Sequence, residues 1–125
     1  MSDVEEHELA AALRDLSDGV IVSDGDGIVR YWNDSAERIL GWSERDAVGQ
    51  SLELIVPERH RPAHSEGYAK VIATGTSKYG TDTLRLRAVH KSGERVAIEF
   101  TVTVMRDDEG KPRGTLAVVR PSADS

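Results

Sequence analysis

From Arg95 to Met105 the chain alternates steadily. Val96, Ile98, Phe100, Val102 and Val104 occupy one set of positions, and Arg95, Ala97, Glu99, Thr101 and Thr103 the other. Successive side chains of a β-strand point to opposite faces, so this period of two requires a sheet with one buried and one wetter face. The neighbouring segments fit the same sheet. Thr83 to Val89 reaches this strand through the turn His90-Lys91-Ser92-Gly93, and Asp107-Asp108-Glu109-Gly110-Lys111-Pro112 leads on to a strand from Gly114 to Arg120. Nearer the N-terminus, Val20 to Asp24 and Ile28 to Trp32 flank Gly25-Asp26-Gly27, a turn whose glycines can take positive φ, which predicts a hairpin.

Helices fill the rest. Ser2 followed by Glu5 has the spacing of a capping box, and Leu9, Ala12, Leu13 and Leu16 recur as a narrow apolar stripe that ends near Asp18-Gly19. Asn33-Asp34-Ser35 supplies cap chemistry for a helix ending at Gly41, and Ser43 caps a short turn closed by Gly49. Ser51 to Ile55 is another short element. The longest later helix is expected from Arg61 to Thr74, with Pro62 in its first turn and Gly75 at its end. His64, Tyr68, Val71 and Ile72 share one face of it. Gly67 weakens it by about 1 kcal/mol relative to alanine, which implies a close approach at that point. The expected architecture is α+β: a five-stranded antiparallel sheet with helices on one face and an N-terminal cap helix. Residues 1–18 form the amphipathic helix, a cap or homodimer contact; 19–121 form the domain and 122–125 a tail.

Composition removes several function classes. The 125 residues carry 16 Lys+Arg against 22 Asp+Glu, a net charge of −6, which argues against phosphate-backbone binding to nucleic acid. No apolar run approaches the roughly 20 residues of a membrane span, so a cytoplasmic protein is expected. The chain has no cysteine, which excludes thiolate metal sites and cysteinyl photoadducts. No nucleophile elbow, phosphate loop or paired carboxylates at a strand end accompany the Ser, His and Asp residues, so an enzyme is not expected.

Taken in order, Asp24-Gly25-Asp26-Gly27-Ile28-Val29, Tyr31-Trp32-Asn33, Ala36 to Glu44, Val48-Gly49, Ile55-Val56-Pro57-Glu58, Lys91-Ser92-Gly93-Glu94 and Asp108-Glu109-Gly110 resemble a PAS domain over residues 9–120. The resemblance implies a signal-transduction sensor module. Such modules bind a small ligand between sheet and helices or relay signals by dimerisation. Signals of the bacterial two-component type would leave through a downstream signalling protein or a fused output domain, since the chain carries no kinase, cyclase or DNA-binding segment of its own.

The stretch His60-Arg61-Pro62-Ala63-His64-Ser65-Glu66-Gly67-Tyr68 is similar to the helix that supplies the axial histidine of oxygen-sensing haem-PAS kinases. Carried across, the resemblance places His64 at the iron of a b-type haem and Lys70 and Lys78 at propionate-pairing positions. Tyr68 shares the His64 face. Leu84, Leu86, Ile98, Phe100 and Val102 would form the apolar wall, with Phe100 and Val102 on the gas side. Leu84 stands where those kinases carry the arginine that hydrogen-bonds oxygen, a donor worth about 1.5–3 kcal/mol. Arg85 and Arg87 fall on the opposite face by alternation, which leaves Tyr79 as the nearby substitute donor. The expected signal is a diatomic gas or redox state. The alternative is a cofactor-free interaction module.

Plainer readings stand beside these. A lone histidine on an apolar helix face is often a packing residue. His60 and His64 have a zinc-compatible spacing, but no third ligand is evident and Pro62 puts His60 outside the helix. Trp32 reads as a strand end, Trp42 as packing under the short helices, and Asp107-Asp108-Glu109 as an acidic turn.

Overall fold

The computed structural model describes residues 3–122. Helix α1 (Glu6–Asp15) precedes a hairpin of β1 (Gly19–Asp24) and β2 (Val29–Trp32). Helices α2 (Asp34–Leu40) and α3 (Glu44–Ala47) and two 3-10 turns, Leu52–Ile55 and Glu58–His60, follow. Helix α4 (Arg61–Thr74) then leads to β3 (Leu84–Val89), β4 (Arg95–Arg106) and β5 (Pro112–Pro121). The strands make one antiparallel sheet in the order β2-β1-β5-β4-β3, so the last strand lies at its centre.

The register defines the buried face. Leu84 opposes Phe100, Leu86 opposes Ile98, Phe100 opposes Val119, and Val102 and Ile21 both oppose Ala117. Directly paired residues share a face, so all of these point toward the helices. Arg85 and Arg87 are exposed on the other face, as alternation requires.

Much of the buried core lies over β1 and β2. Ile21, Val29, Trp32, Ala36, Leu40 and Ala47 are buried together there. Trp32 Nε1 donates to the Trp42 carbonyl at 2.8 Å, which satisfies the one polar atom of the largest buried side chain. Asn33 caps α2: its Oδ1 accepts from Ala36 N at 3.0 Å and Val20 N at 2.8 Å, while Nδ2 donates to the Leu13 and Asp18 carbonyls. Ser43 Oγ caps α3 by accepting from Asp46 N. Gly41 and Gly75 end α2 and α4 in the left-handed region, at φ 82° and 73°.

Three details differ from the sequence reading. Helix α1 stops at Asp15, before Asp18-Gly19, because the next carbonyls have tertiary partners: Ser35 Oγ donates to Leu16 O, Arg38 to Ser17 O and Asn33 to Asp18 O. Gly19 does not stop a helix; it opens β1, where a Cβ would lie 3.2 Å from Ala36 Cα, so glycine lets α2 pack closely. Gly67 supports no close approach, since a Cβ there would meet nothing within 4 Å. The capping-box partner Ser2 lies outside the described residues, and the Glu5 side chain makes no cap hydrogen bond.

Candidate functional site

Helix α4 crosses the end of the sheet where the β1–β2 turn meets β5. Its terminal glycine is held there, with Arg106 Nη2 donating to Gly75 O at 2.6 Å. At mid-helix the Tyr68 hydroxyl donates to Asp24 O at 2.5 Å and stands 3.5 Å from Thr115 Oγ1. Burial pushes the Tyr68 hydroxyl pKa up, and the Asp24 charge adds in the same direction. The hydroxyl therefore stays protonated and keeps donating.

One helical turn earlier lies His64, its ring centroid 6.1 Å from that of Tyr68. It faces a cavity of about 340 Å³ whose walls include Gly25, Asp26, Gly27, Ser51, Glu53, Ser65 and Tyr68. His64 Nδ1 is buried and has no hydrogen-bond partner; the Glu53 carboxylate is 3.9 Å from it. Burial pushes the imidazole pKa down, and Glu53 opposes this only in part. The net effect favours a neutral ring, the form that ligates metals. Glu53 Oε1 itself accepts a hydrogen bond from Ser65 Oγ.

The turn forming the other lip is fixed by Asp24. Its Oδ1 accepts from Asp26 N and Ile28 N at 2.9 and 3.1 Å, and its Oδ2 accepts from Arg30 Nε at 2.7 Å. Burial alone would raise the Asp24 pKa; these bonds, led by Ile28 N, hold it below the usual carboxylate value.

The structure gathers the residues singled out from sequence into two groups. His64 and Tyr68 meet at the cavity. Leu84, Leu86, Ile98, Phe100 and Val102 meet on the inner sheet face, but they are not among the walls of the His64 cavity. Of this second group only Ile98 is fully buried; the others keep some exposure. Lys70 and Lys78 join neither group. Lys70 pairs with Glu66 at 3.5 Å on the exposed side of α4, and Lys78 Nζ lies 5.1 Å over the Tyr79 ring. Tyr79 is 45% exposed. His60 sits before α4, exposed, accepting from Arg59 Nε, and among the described residues no group of three ligating side chains could hold a metal ion. Asp107 Oδ1 accepts from Glu109 N and Lys111 N, so the acidic segment is a turn.

Sequence reasoning missed Glu53, Ser65 and the cavity itself. No local signal marks Glu53, because its 3-10 turn meets α4 only through the tertiary fold. A second hollow of about 390 Å³ lies beside Trp42, Gln50 and Leu54, bridged by Lys91 and Asp46 at 2.8 Å. It holds none of the residues that the resemblance assigns to haem.

Comparison with known proteins decides the family: the model for the PAS fold matches residues 7–121. The chain belongs to the PAS family. Among solved structures, the PAS domain of a Colwellia psychrerythraea protein superposes with a TM-score of 0.81 at 21% identity, covering 95% of this chain and 98% of that one. Among curated proteins, the sensor protein FixL of Bradyrhizobium diazoefficiens is 41% identical over 59 residues, 47% of this chain and 12% of its own length. The oxygen sensor protein DosP of Escherichia coli is 23% identical over 110 residues, 88% of this chain and 13% of DosP. This PAS domain thus spans about an eighth of each of those two sensors. No helix among its described residues is long and apolar enough to cross a membrane.

Proposed function

We propose that this PAS sensor domain binds b-type haem, with His64 as the axial ligand, and reports a diatomic gas or redox state to a downstream signalling protein or fused output domain. One observation carries the reading: an apolar sheet face left partly uncovered lies in the same domain as a helix bearing a half-buried, neutral-leaning imidazole whose Nδ1 has no hydrogen-bond partner. Leu84, Leu86, Phe100 and Val102 point toward the helices yet stay partly exposed, while α4 buries no residue fully. An apolar surface with one convergent polar group is the usual character of a small-ligand site.

Each residue then has a task. His64 would hold the iron through a ring nitrogen. Leu84, Leu86, Ile98, Phe100 and Val102 would exclude water, and Tyr68 holds α4 to the Asp24 carbonyl. Lys70 and Lys78, both exposed, are the cations available to propionates. Haem iron supplies a reversible binding position for a small gas. Leu84 offers no hydrogen bond and Tyr79 is largely outside, so selectivity shifts toward carbon monoxide or nitric oxide, which need a donor less than dioxygen does. The similarity to proteins named as sensors, one of them an oxygen sensor, supports the same reading. The exposed Leu9 of α1 and the exposed Leu16 just past its end suit contact with a second copy of the chain.

The test is haem titration of the purified domain and of His64→Ala. A stoichiometric Soret band in the parent, lost in the variant, is expected. A full band surviving in His64→Ala overturns the ligand assignment and makes His60 the next residue to replace. No band in the parent leaves the cofactor-free interaction module as the function.

A further inference from the structure

We infer that the outer edge of β3 is a docking site for a partner protein's extended segment of alternating acidic and apolar residues, which adds a strand to the five-stranded sheet. The inference does not rest on haem.

The two edges of the sheet are finished differently. At the β2 edge the chain covers its own backbone: Gly49 N donates to Val29 O, Val29 N to Gln50 O and Leu52 N to Gly27 O, each at 2.8 Å. At the β3 edge it does not. His90 N donates to Glu94 O, so in the antiparallel register the residues bonded across to β4 are Leu84, Leu86 and Ala88. The backbone groups of Arg85, Arg87 and Val89 then point away from the sheet. Beyond the β3–β4 ladder no backbone bond reaches Arg87 or Val89 among the described residues. The strand is also regular: its six residues include no proline and pair with β4 without a bulge. Proline and bulges are devices that block pairing at sheet edges; here charge is the device present.

That charge selects the occupant. Arg85 and Arg87 are exposed on the outer face, and Arg95, opposite Val89, extends the same positive strip. Glu99 stands opposite Arg85, but Arg87 faces only the methyl group of Ala97. An antiparallel copy of β3, in either of its longest registers, sets Arg87 against Arg85 or against Arg87. Like charges directly opposite destabilise a strand pair, so a second copy is disfavoured. An acidic strand gains from the same geometry. Directly opposite residues share a face, so its acids meet Arg85 and Arg87 while its intervening residues lie beside Leu84 and Leu86. Both leucines are only partly buried, and apolar neighbours would cover them further. In such strand addition the main-chain bonds supply affinity and the alternate side chains specificity.

The test is amide hydrogen exchange of the full chain, read by NMR, with an acetylated and amidated peptide of alternating glutamate and valine as the probe. At saturation the peptide should slow exchange of the Arg87 and Val89 amides by about 10-fold or more, because those N–H groups gain acceptors. The same peptide N-methylated at its glutamates keeps its charge but loses the N–H groups that face β3, and should give no such protection. A lysine–valine peptide should give none at β3 either, although the net charge of −6 attracts it elsewhere. In a chain carrying Arg85→Glu and Arg87→Glu the preference should invert, with protection coming from the lysine–valine peptide, and that inversion also shows the variant to be folded. No protection of Arg87 and Val89 by the glutamate peptide overturns the inference. Equal protection by its N-methylated form does so too, since that is ion pairing without strand addition. So does a preference unmoved by the charge reversal. Protection of β3 that appears on concentrating the chain without peptide makes a second copy the occupant and overturns it as well. None of these results bears on the haem titration.

Discussion

Over β1 and β2 the inner sheet face is sealed: Ile21, Val29 and Trp32 are buried, and α2 contributes the buried Ser35, Ala36, Ile39 and Leu40. Over β3 and the middle of β4 the same face is only partly covered. Leu84, Leu86, Phe100, Val102 and Val104 are all partly exposed, and α4, the longer of the two helices, buries nothing completely. Both regions use the same alternation of apolar side chains. What differs is the cover. Helix α2 is tied by Asn33 and Ser35 into the strand and the N-terminal segment and buries four residues, whereas α4, bonded at Arg61, Ser65, Tyr68 and its Gly75 cap, buries none. The sealed region supplies stability. The open region leaves apolar surface uncovered, the surface that the proposed haem would cover.

The sharpest way to break this comparison is to hollow out the sealed region. Trp32→Ala removes a fully buried indole and its bond to the Trp42 carbonyl, and a loss of about 3–5 kcal/mol is expected in urea unfolding at neutral pH. A loss below about 2 kcal/mol would show that this region tolerates cavities and is not the stabilising half. The matching change in the open region is Leu84→Ala. The expected loss there is about 1–1.5 kcal/mol, because part of the side chain is already in water. The same variant should weaken haem binding measurably. A loss equal to that of Trp32→Ala, with haem affinity unchanged, would mean that β3 is core and not a ligand wall.

The legibility of the two regions in the sequence differs for the same reason. Strand alternation, the Gly25-Asp26-Gly27 turn, the Asn33 cap and the bounds of α4 are local properties, and each is readable from neighbouring residues. The position of β5 between β1 and β4 is not local, since nothing in Gly114 to Arg120 states which strands flank it. Gly19 and Gly67 show the limit within single residues. Both break helical patterns, but only the tertiary fold reveals that Gly19 makes room for Ala36 and that Gly67 makes room for nothing. The candidate site divides likewise. His64 and Tyr68 were visible as one helical face, whereas Glu53 acquires its place beside His64 only when the Leu52–Ile55 turn packs under α4.

The smallest expected effect is the most specific to the boundary between the two regions, where Asp24 closes β1 and shapes the cavity lip. Its carboxylate is held below its ordinary pKa of 3.8; burial opposes this, and the bonds from Ile28 N, Arg30 and Asp26 N prevail. Because the folded value lies below the unfolded one, the unfolded chain takes up more protons between the two values. The stabilisation is therefore complete above the unfolded pKa and is lost as pH falls through the folded one. Asp24→Asn should be less stable than the parent near neutrality, since the charge-assisted bond to Arg30 is gone. It should also lose less further stability between about pH 5 and pH 2 than the parent does, although Asp46 and Asp107, both also depressed, keep part of the acid slope. Urea midpoints of the two proteins across that range measure the difference. Parallel curves, displaced but equal in slope, would show that Asp24 acts on the turn through geometry alone. Converging curves would place a titrating carboxylate at the edge of the cavity, where it stabilises the turn that the Tyr68 hydroxyl holds against α4.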